Sequence, residues 1–189
     1  GGKLAKIMKR ENIPGIVFDP RENLSNQPRL GLGYSVIGII LLLQKAGVLQ
    51  ISQNELLSLA ANLKQQNISL NIDVIKSKNP AKKIAEALHK KQAVLVGAEF
   101  IVGNLHTMRN QMCENSKNFA SYLEVPDMNH FAMEGLAYPI ENKKTMYFLF
   151  FNSELYNPKV KKRLTLTKKV VEKNGIKSGI HKLKEKTPL

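Results

Sequence analysis

Apolar and polar positions follow two different patterns along this chain, and the pattern changes near residue 79. From there on, short and nearly continuous apolar runs are separated by longer segments with helical character. Continuous runs of Val, Leu and Phe are typical of strands buried on both faces, and intervening helices indicate parallel pairing. The pattern therefore predicts an α/β fold in which helices cover both faces of a central parallel sheet.

Four strands and three helices are predicted in this part of the chain. The strands are expected at residues 93–98, 119–125, 145–151 and 178–184. The helices are expected at residues 79–88, 101–115 and 158–174. Asn79 has the side chain of an N-cap and precedes Pro80, a residue that is favoured in the first helical turn, and Gly175 is expected to end the last helix.

Residues 1–78 are patterned mainly as helices and loops. In order, we expect a helix at 3–11, an apolar run of strand length at 13–19, a loop at 20–29, helices at 34–46 and 52–66, and an extended polar stretch at 67–78. Ser52 and Glu55 have the spacing of a capping box, which predicts the start of the third helix. Gly47 is the expected C-cap of the second helix.

Length and composition limit the class of protein. The 189 residues can form one full domain, or one domain and part of another. Cys113 is the single cysteine, so no intramolecular disulfide is possible and a cytoplasmic location is expected. The apolar run at 37–43 is too short to cross a membrane, and no signal-peptide pattern is present. Because the chain begins with Gly1, we expect either processing or a longer parent protein.

Positive charge is concentrated near the carboxyl terminus. The formal net charge is +14, and residues 143–189 hold thirteen Lys and Arg against three Glu. This excess indicates either attraction to nucleic acid or another anion, or a solvated basic helix and tail. We favour the second interpretation because no aromatic residues alternate with these lysines as a stacking platform. A nucleic-acid binder is therefore the weakest hypothesis, although a positive field could still steer an anionic substrate.

Candidate acid–base residues are concentrated at residues 113–135. Glu114 lies at the end of a predicted helix, and His130 follows a predicted strand and turn. We expect both to lie on successive loops of one sheet edge, where a carboxylate and an imidazole could act on one small substrate as base and ring-opening acid. The alternatives are a solvent-facing helix-end glutamate and a histidine that caps a helix beside Asn129.

Other kinds of site are not indicated. The four histidines and Cys113 do not cluster with the spacing of metal ligands, so no metal is predicted. The sequence contains no P-loop and no dinucleotide-binding fingerprint, so no cofactor is predicted.

The motif around these residues resembles a known family. The patterns E-N-x-K at 114–117 and L-x-x-P-x-x-N-H at 123–130 resemble the second sugar-isomerase (SIS) domain of the bifunctional phosphoglucose/phosphomannose isomerases. Phe131 and Cys113 depart from it, because a polar residue and Asn are more usual there. Four further blocks resemble the family in the same order, at residues 1–8 (GGKLAKIM), 27–34 (QPRLGLGY), 79–88 (NPAKKIAEAL) and 93–100 (AVLVGAEF).

The resemblance implies a fold and a domain organisation. It implies an SIS-type sandwich with a central parallel sheet of about four to five strands and helices on both faces. Residues 1–30 would be a remnant of the end of a first SIS domain, 31–78 a helical connector, and 79–189 the second SIS domain. The final helix of the family and the Ser/Thr-rich phosphate loop of its first domain would be missing.

The resemblance also implies a function. It implies interconversion of glucose 6-phosphate or mannose 6-phosphate with fructose 6-phosphate, in a homodimer that borrows its histidine from the neighbouring subunit. Glu114 would be the base, His130 the ring-opening residue, and Arg29 the cation for the enediolate, unless Arg29 only anchors its loop. Gly97, Asn129 and Lys117 would bind substrate, with a purely structural role as the alternative for Lys117. The second hypothesis is an SIS module that senses a sugar phosphate without catalysis.

Overall fold

The computed structural model describes residues 2–184, which divide into two compact units between Val74 and Ile75. Each unit is described by itself. None of the helices within residues 2–184 combines the length and the apolar character that a membrane crossing requires.

The amino-terminal unit is helical. Its helices are α1 (Lys3–Arg10), α2 (Leu32–Lys45) and α3 (Gln53–Leu70), with a 3-10 turn at Pro28–Leu30. The predicted capping box is confirmed, because Ser52 Oγ accepts from Glu55 N–H and the Ser52 N–H donates to the Glu55 carboxylate. Residues 67–70 continue α3, and a 3-10 turn follows at Lys76–Lys78, so the predicted extended stretch at 67–78 is wrong at both places. Neither Gly nor Pro interrupts α3 before Asn71, its C-cap.

The apolar run at residues 13–19 forms no strand. Ile13 N–H bonds to Met8 O at 2.9 Å, directly after α1, and no ladder pairs the run with another segment of residues 2–184. Phe18 instead stacks on Tyr34 of α2, with ring centroids 5.3 Å apart. A strand is stable only beside a partner, and this run has none among the described residues.

The carboxyl-terminal unit is an α/β sandwich. Its strands are β1 (Gln92–Gly97), β2 (Ala120–Glu124), β3 (Met146–Asn152) and β4 (Lys177–Lys182). Its helices are α4 (Pro80–Ala87), α5 (Val102–Glu114), α6 (Met128–Phe131), α7 (Asn142–Thr145) and α8 (Pro158–Lys173). All neighbouring strands are parallel, in the order β2-β1-β3-β4. The predicted parallel sheet is therefore confirmed, with four strands.

The two central strands form the core. Residues 93–97 of β1 and 148–151 of β3 are all buried, as continuous apolar runs predict for strands covered on both faces. Helix α5 packs on β1 and β2, and α8 packs on β3 and β4. Right-handed connections, which parallel units almost always use, put these two helices on opposite faces because β2 and β4 lie at opposite ends of the sheet.

Because all strands are parallel, the two ends of the sheet differ. Every strand ends at the same edge, which we call the carboxyl edge, and every strand begins at the opposite amino edge. The connections that leave β1 and β3 run in opposite directions. Ligands of open α/β sheets bind at such a switch point, in the crevice beyond the carboxyl ends of the strands.

Candidate active site

Glu114 lies at the amino edge of the sheet. It is the last residue of α5, and α5 returns the chain from the end of β1 to the start of β2. Asn118 Nδ2, in the loop that follows, donates to Lys91 O at 3.1 Å and so ties this loop to the residue before β1. The Glu114 side chain is exposed, and no group within residues 2–184 hydrogen-bonds its carboxylate. Its carboxylate is therefore available to a ligand or a partner.

His130 lies at the carboxyl edge. After β2 ends, Val125 N–H donates to Gly97 O at 2.9 Å, and α6 begins three residues later. Met128 is fully buried and anchors this short helix to the core. The His130 N–H donates to Asp127 O, whereas its imidazole is exposed and has no hydrogen-bond partner in the part of the chain that the structure describes.

The prediction that Glu114 and His130 lie on successive loops of one sheet edge is wrong. Strand β2 separates the two residues, and five residues at about 3.3 Å each span roughly 17 Å. The cause is the parallel connection, which returns the end of α5 to the amino edge before β2 carries the chain back. Proton transfer requires contacts of about 3 Å, so the two side chains of one chain do not reach the same small substrate.

Gly97 is explained by packing. A Cβ at this position would lie 2.5 Å from Ile101 Cδ1 and 3.0 Å from Leu105 Cδ1, both on the segment that covers β1. The missing side chain thus allows the start of α5 to pack closely on the end of β1. A ligand need not be invoked to account for this glycine.

Lys117 and Asn129 are both engaged within the protein. Lys117 Nζ donates to Glu114 O at 2.6 Å, so its ammonium group covers an end carbonyl of α5, in agreement with the structural alternative. Asn129 Nδ2 donates to Thr167 Oγ1 at 2.8 Å and joins α6 to α8. The Asn129 Oδ1 atom is buried and has no partner among the described residues.

Arg29 belongs to the amino-terminal unit. It lies on the 3-10 turn Pro28–Leu30, is half-buried, and donates through Nη1 to Gln27 Oε1 at 2.9 Å. This contact orients the guanidinium group within its own loop, as the loop-anchor alternative requires. A role toward substrate therefore remains a prediction.

The switch-point crevice of this unit is occupied by its own side chains, a feature that the sequence reasoning missed. Tyr156 is buried beyond β3, and its hydroxyl accepts from Ala98 N–H at 3.2 Å. Glu99 has a left-handed backbone (φ 53°), and its carboxylate accepts from Asn157 N–H at 3.2 Å, at the start of α8. The exposed carboxylate of Glu99 thus lies where a doubly wound domain would offer a helix N-terminus to a phosphate. Glu99 comes directly after a central strand, and this position could have indicated from the sequence that its carboxylate lies at the carboxyl edge.

Metal ligands are not gathered in the described part of the chain. Within residues 2–184, no group of three or more His, Cys, Asp or Glu side chains could hold a metal ion.

Comparison with known proteins identifies similar sequences over most of the chain. A family profile described as bacterial phospho-glucose isomerase C-terminal SIS domain matches residues 77–189. A bifunctional phosphoglucose/phosphomannose isomerase of Aquifex aeolicus is 28% identical over 175 residues, which cover 93% of this chain and 49% of the relative. A protein of the same name from Caldicellulosiruptor bescii is 26% identical over 189 residues, covering 96% and 52%. The chain thus spans about half the length of these curated relatives.

Proposed function

Because this chain belongs to the family of bacterial phospho-glucose isomerase C-terminal SIS domains, we propose that it supplies the proton-transfer residues of a hexose 6-phosphate aldose–ketose isomerase. The reaction would interconvert glucose 6-phosphate or mannose 6-phosphate with fructose 6-phosphate. The observation that carries the proposal is the pair Glu114 and His130. Both side chains are exposed and without hydrogen-bond partners within residues 2–184, and both lie in the sequence patterns at 114–117 and 123–130 that resemble the family.

The proposed domain organisation follows the family. Residues 79–189 would be the second SIS domain, 31–78 a helical connector and 1–30 the end of a first SIS domain. The hydroxyl-rich phosphate loop of that first domain is not found in this sequence. Phosphate binding needs several converging donors, so we expect the 189-residue chain alone to bind sugar phosphates weakly and to turn over little or none.

The proposed mechanism assigns one proton-transfer step to each residue. His130 would move protons at the ring oxygen and the anomeric hydroxyl, which opens the sugar ring. Glu114 would remove the proton from the carbon next to the aldehyde, form an enediol, and return the proton to the neighbouring carbon. Arg29 would stabilise the negative charge that develops on the enediolate oxygen. Protons and electrons balance without any cofactor.

The separation of Glu114 from His130 supports a site shared between two copies of the chain. If one chain cannot bring both side chains to one sugar, a second copy must supply one of them. In a two-fold symmetric dimer, Glu114 of each subunit could meet His130 of the partner, which gives two equivalent sites. We therefore propose a catalytic homodimer.

The alternative is an SIS module that binds a sugar phosphate without turnover. Such a module would use the switch-point crevice of its own sheet. In this chain Tyr156 fills that crevice, and Glu99 brings a carboxylate to the helix N-terminus where a phosphate would bind. Like charges repel, so this observation favours the isomerase.

The first test measures coupled isomerase activity in the longest natural protein that contains these residues. Glu114→Gln keeps the shape of the side chain but removes the base, and general-base catalysis contributes about 10²- to 10⁴-fold. We expect kcat to fall by that factor, and His130→Ala to slow reaction of the closed ring most. Near-normal turnover of the Glu114→Gln protein would refute the mechanism. Sugar-phosphate binding without turnover in the unmodified protein would favour the regulatory module.

The second test mixes the two inactive variants after reversible dissociation. Random re-pairing places one intact Glu114 and one intact His130 at a single site in half of the dimers, so about a quarter of the wild-type activity should return. Recovery would not occur if both residues of a site came from the same subunit. A mixture that stays inactive, although subunit exchange is shown by mass labelling, would contradict the shared site.

A further inference from the structure

A groove with a cationic rim lies between α6 and α8. Its volume is about 460 Å³, within the range of about 300–1,000 Å³ that is usual for small-molecule sites. Lys159, Lys162 and Arg163 line it from the first turns of α8, and Asn129 and Met133 line it from α6 and the turn that follows. The spacing of the three basic residues places them on one face of α8.

The three basic side chains have no acidic partner within residues 2–184. Two other lysines of α8 do have one, since Lys161 pairs with Glu154 at 3.1 Å and Lys168 pairs with Glu172 at 2.5 Å. All three line one groove and are exposed, so solvent screens part of their mutual repulsion, and an anion bound beside them would relieve the remainder. A phosphate group, with three acceptor oxygens, suits this arrangement better than a carboxylate with two.

The remainder of the groove is apolar. Met133, Leu166 and Val170 line it beyond the cations, and both Leu166 and Val170 are at least 40% exposed. This surface would pack against the carbon skeleton of a ligand whose phosphate group lies at the cationic end. No aromatic side chain lines the groove as a stacking surface for a base, which favours a small phosphate ester over a nucleic-acid strand.

Hydrogen bonds connect the groove to α6, the helix that carries His130. Asn129 precedes His130 on α6, and its amide group donates to Thr167 on the groove face of α8. Thr167 is buried, and its hydroxyl donates to Arg163 O at 2.9 Å. A ligand held by the Arg163 side chain would therefore restrain the turn of α8 that contains Arg163 and Thr167. Through the hydrogen bond from Asn129 to Thr167 it would also restrain α6.

We propose that the α6–α8 groove binds a small phosphate ester with an apolar body, and that binding restrains the position of α6. The binding site does not depend on the isomerase assignment. The consequence for His130 rests on the proposed function.

Binding is tested by NMR titration of the ¹⁵N-labelled chain with phenyl phosphate, inorganic phosphate and fructose 6-phosphate. We expect phenyl phosphate to bind tightest and to shift amide signals of α6 and the first half of α8, including that of His130. Lys162→Gln with Arg163→Gln should weaken phenyl phosphate binding by about tenfold or more. Leu166→Ala should weaken phenyl phosphate while leaving inorganic phosphate almost unchanged.

The matched control removes the same charge elsewhere on α8. Lys169→Gln with Lys173→Gln changes two exposed lysines that do not line the groove, and it should change the affinity less than about twofold. An equal loss in both double variants would show attraction by net charge alone and would overturn the proposal. Shifts confined to other parts of the chain, or tighter binding of a short single-stranded oligonucleotide at the same residues, would also overturn it. The dispersed spectrum of each variant verifies that it is folded.

Discussion

The apolar helix α2 has no buried side chain, whereas the basic helix α8 has three, which is the opposite of what their compositions suggest. In α2, nine of the fourteen residues Leu32–Lys45 are apolar, yet none of them is buried. In α8, seven of the sixteen residues Pro158–Lys173 are Lys or Arg, yet Leu164, Thr167 and Val171 are buried. The spacing of these three residues places them on the face that packs against the sheet. Burial therefore follows from the neighbour that an element has, and hydrophobicity alone does not determine it.

The two units differ in the same way. Within residues 2–184, every fully buried apolar side chain belongs to the carboxyl-terminal unit. The amino-terminal unit instead exposes large apolar side chains, among them Val17, Phe18, Val36 and Ile39. A unit without a buried core is marginal by itself, because burial of apolar surface is the main stabilising contribution in folding. The following predictions test this contrast, from the largest expected effect to the smallest.

The largest effect is expected in amide hydrogen exchange of the 189-residue chain. Amides of β1 and β3 should exchange only on global opening of their unit, whereas those of α2 should exchange through local opening. We expect β1 amides to exchange at least about a thousandfold more slowly than α2 amides, which corresponds to about 4 kcal/mol of protection. Mass spectrometry of peptides from the two segments measures both rates in one sample. Equal protection would show that α2 is stabilised as strongly as the core.

Truncation of one leucine on α8 should cost far more stability than truncation of an apolar residue on α2. Leu164 is fully buried, so Leu164→Ala should lower the free energy of unfolding of its unit by about 2–5 kcal/mol. Ile39 is 58% exposed, so Ile39→Ala should cost less than about 1 kcal/mol. Urea denaturation followed by circular dichroism compares the two variants. A larger loss for Ile39→Ala would contradict the contrast between the helices.

Removal of two helix caps, one buried and one exposed, is expected to have an effect of intermediate size on stability. Asn79 is buried and accepts from Lys82 N–H at 3.1 Å, whereas Ser52 is exposed in its capping box. Loss of a cap costs about 0.5–2 kcal/mol, and a buried unsatisfied N–H lies at the upper end of that range. Asn79→Ala should therefore lower the melting temperature more than Ser52→Ala. Asn79→Ser, which keeps a capping oxygen, should recover part of the loss.

The smallest effect is expected in how the folding stability depends on pH. Hydrogen bonds from Lys168 and Ser178 hold the pKa of Glu172 below its ordinary value of 4.5, and hydrogen bonds from Ser52 lower the pKa of Glu55. A lowered folded-state pKa contributes stability above the unfolded-state value, and that contribution is lost as pH falls below about 4.5. The stability difference between wild type and Glu172→Gln should therefore shrink between neutral pH and about pH 3. Glu134→Gln, at an exposed glutamate, serves as control. If the stability difference between wild type and Glu172→Gln did not change with pH, the hydrogen bond from Ser178 of β4 to Glu172 of α8 would be contradicted.

Patterns that depend on local chemistry could be read from the sequence. The continuous apolar runs predicted all four strands and their parallel pairing, because burial on both faces requires apolar residues at every position. The capping residues Ser52 and Asn79 were identified because their side chains act on backbone groups only a few positions away. The apolar run at 13–19 failed as a strand because a ladder requires a partner that local pattern cannot supply.

The candidate site shows the same division. The residue types of Glu114 and His130, and their place in a family motif, could be recognised from the sequence. Their placement at opposite edges could not be recognised by the spacing alone, since it follows from the direction in which α5 connects two parallel strands. The hydrogen bonds at the switch point, from Ala98 to Tyr156 and from Asn157 to Glu99, each join residues 58 positions apart and likewise depend on the fold.

The sequence by itself determined the α/β class, the helix caps, the family and the residue types of the candidate side chains Glu114 and His130, because each of these depends on residue type within a short window. The tertiary structure decided which apolar segments are buried, which sheet edge each candidate residue occupies, and which basic side chains of α8 line one groove. Those properties depend on contacts between segments distant in the chain, and their geometry is set by how strands pair and helices pack.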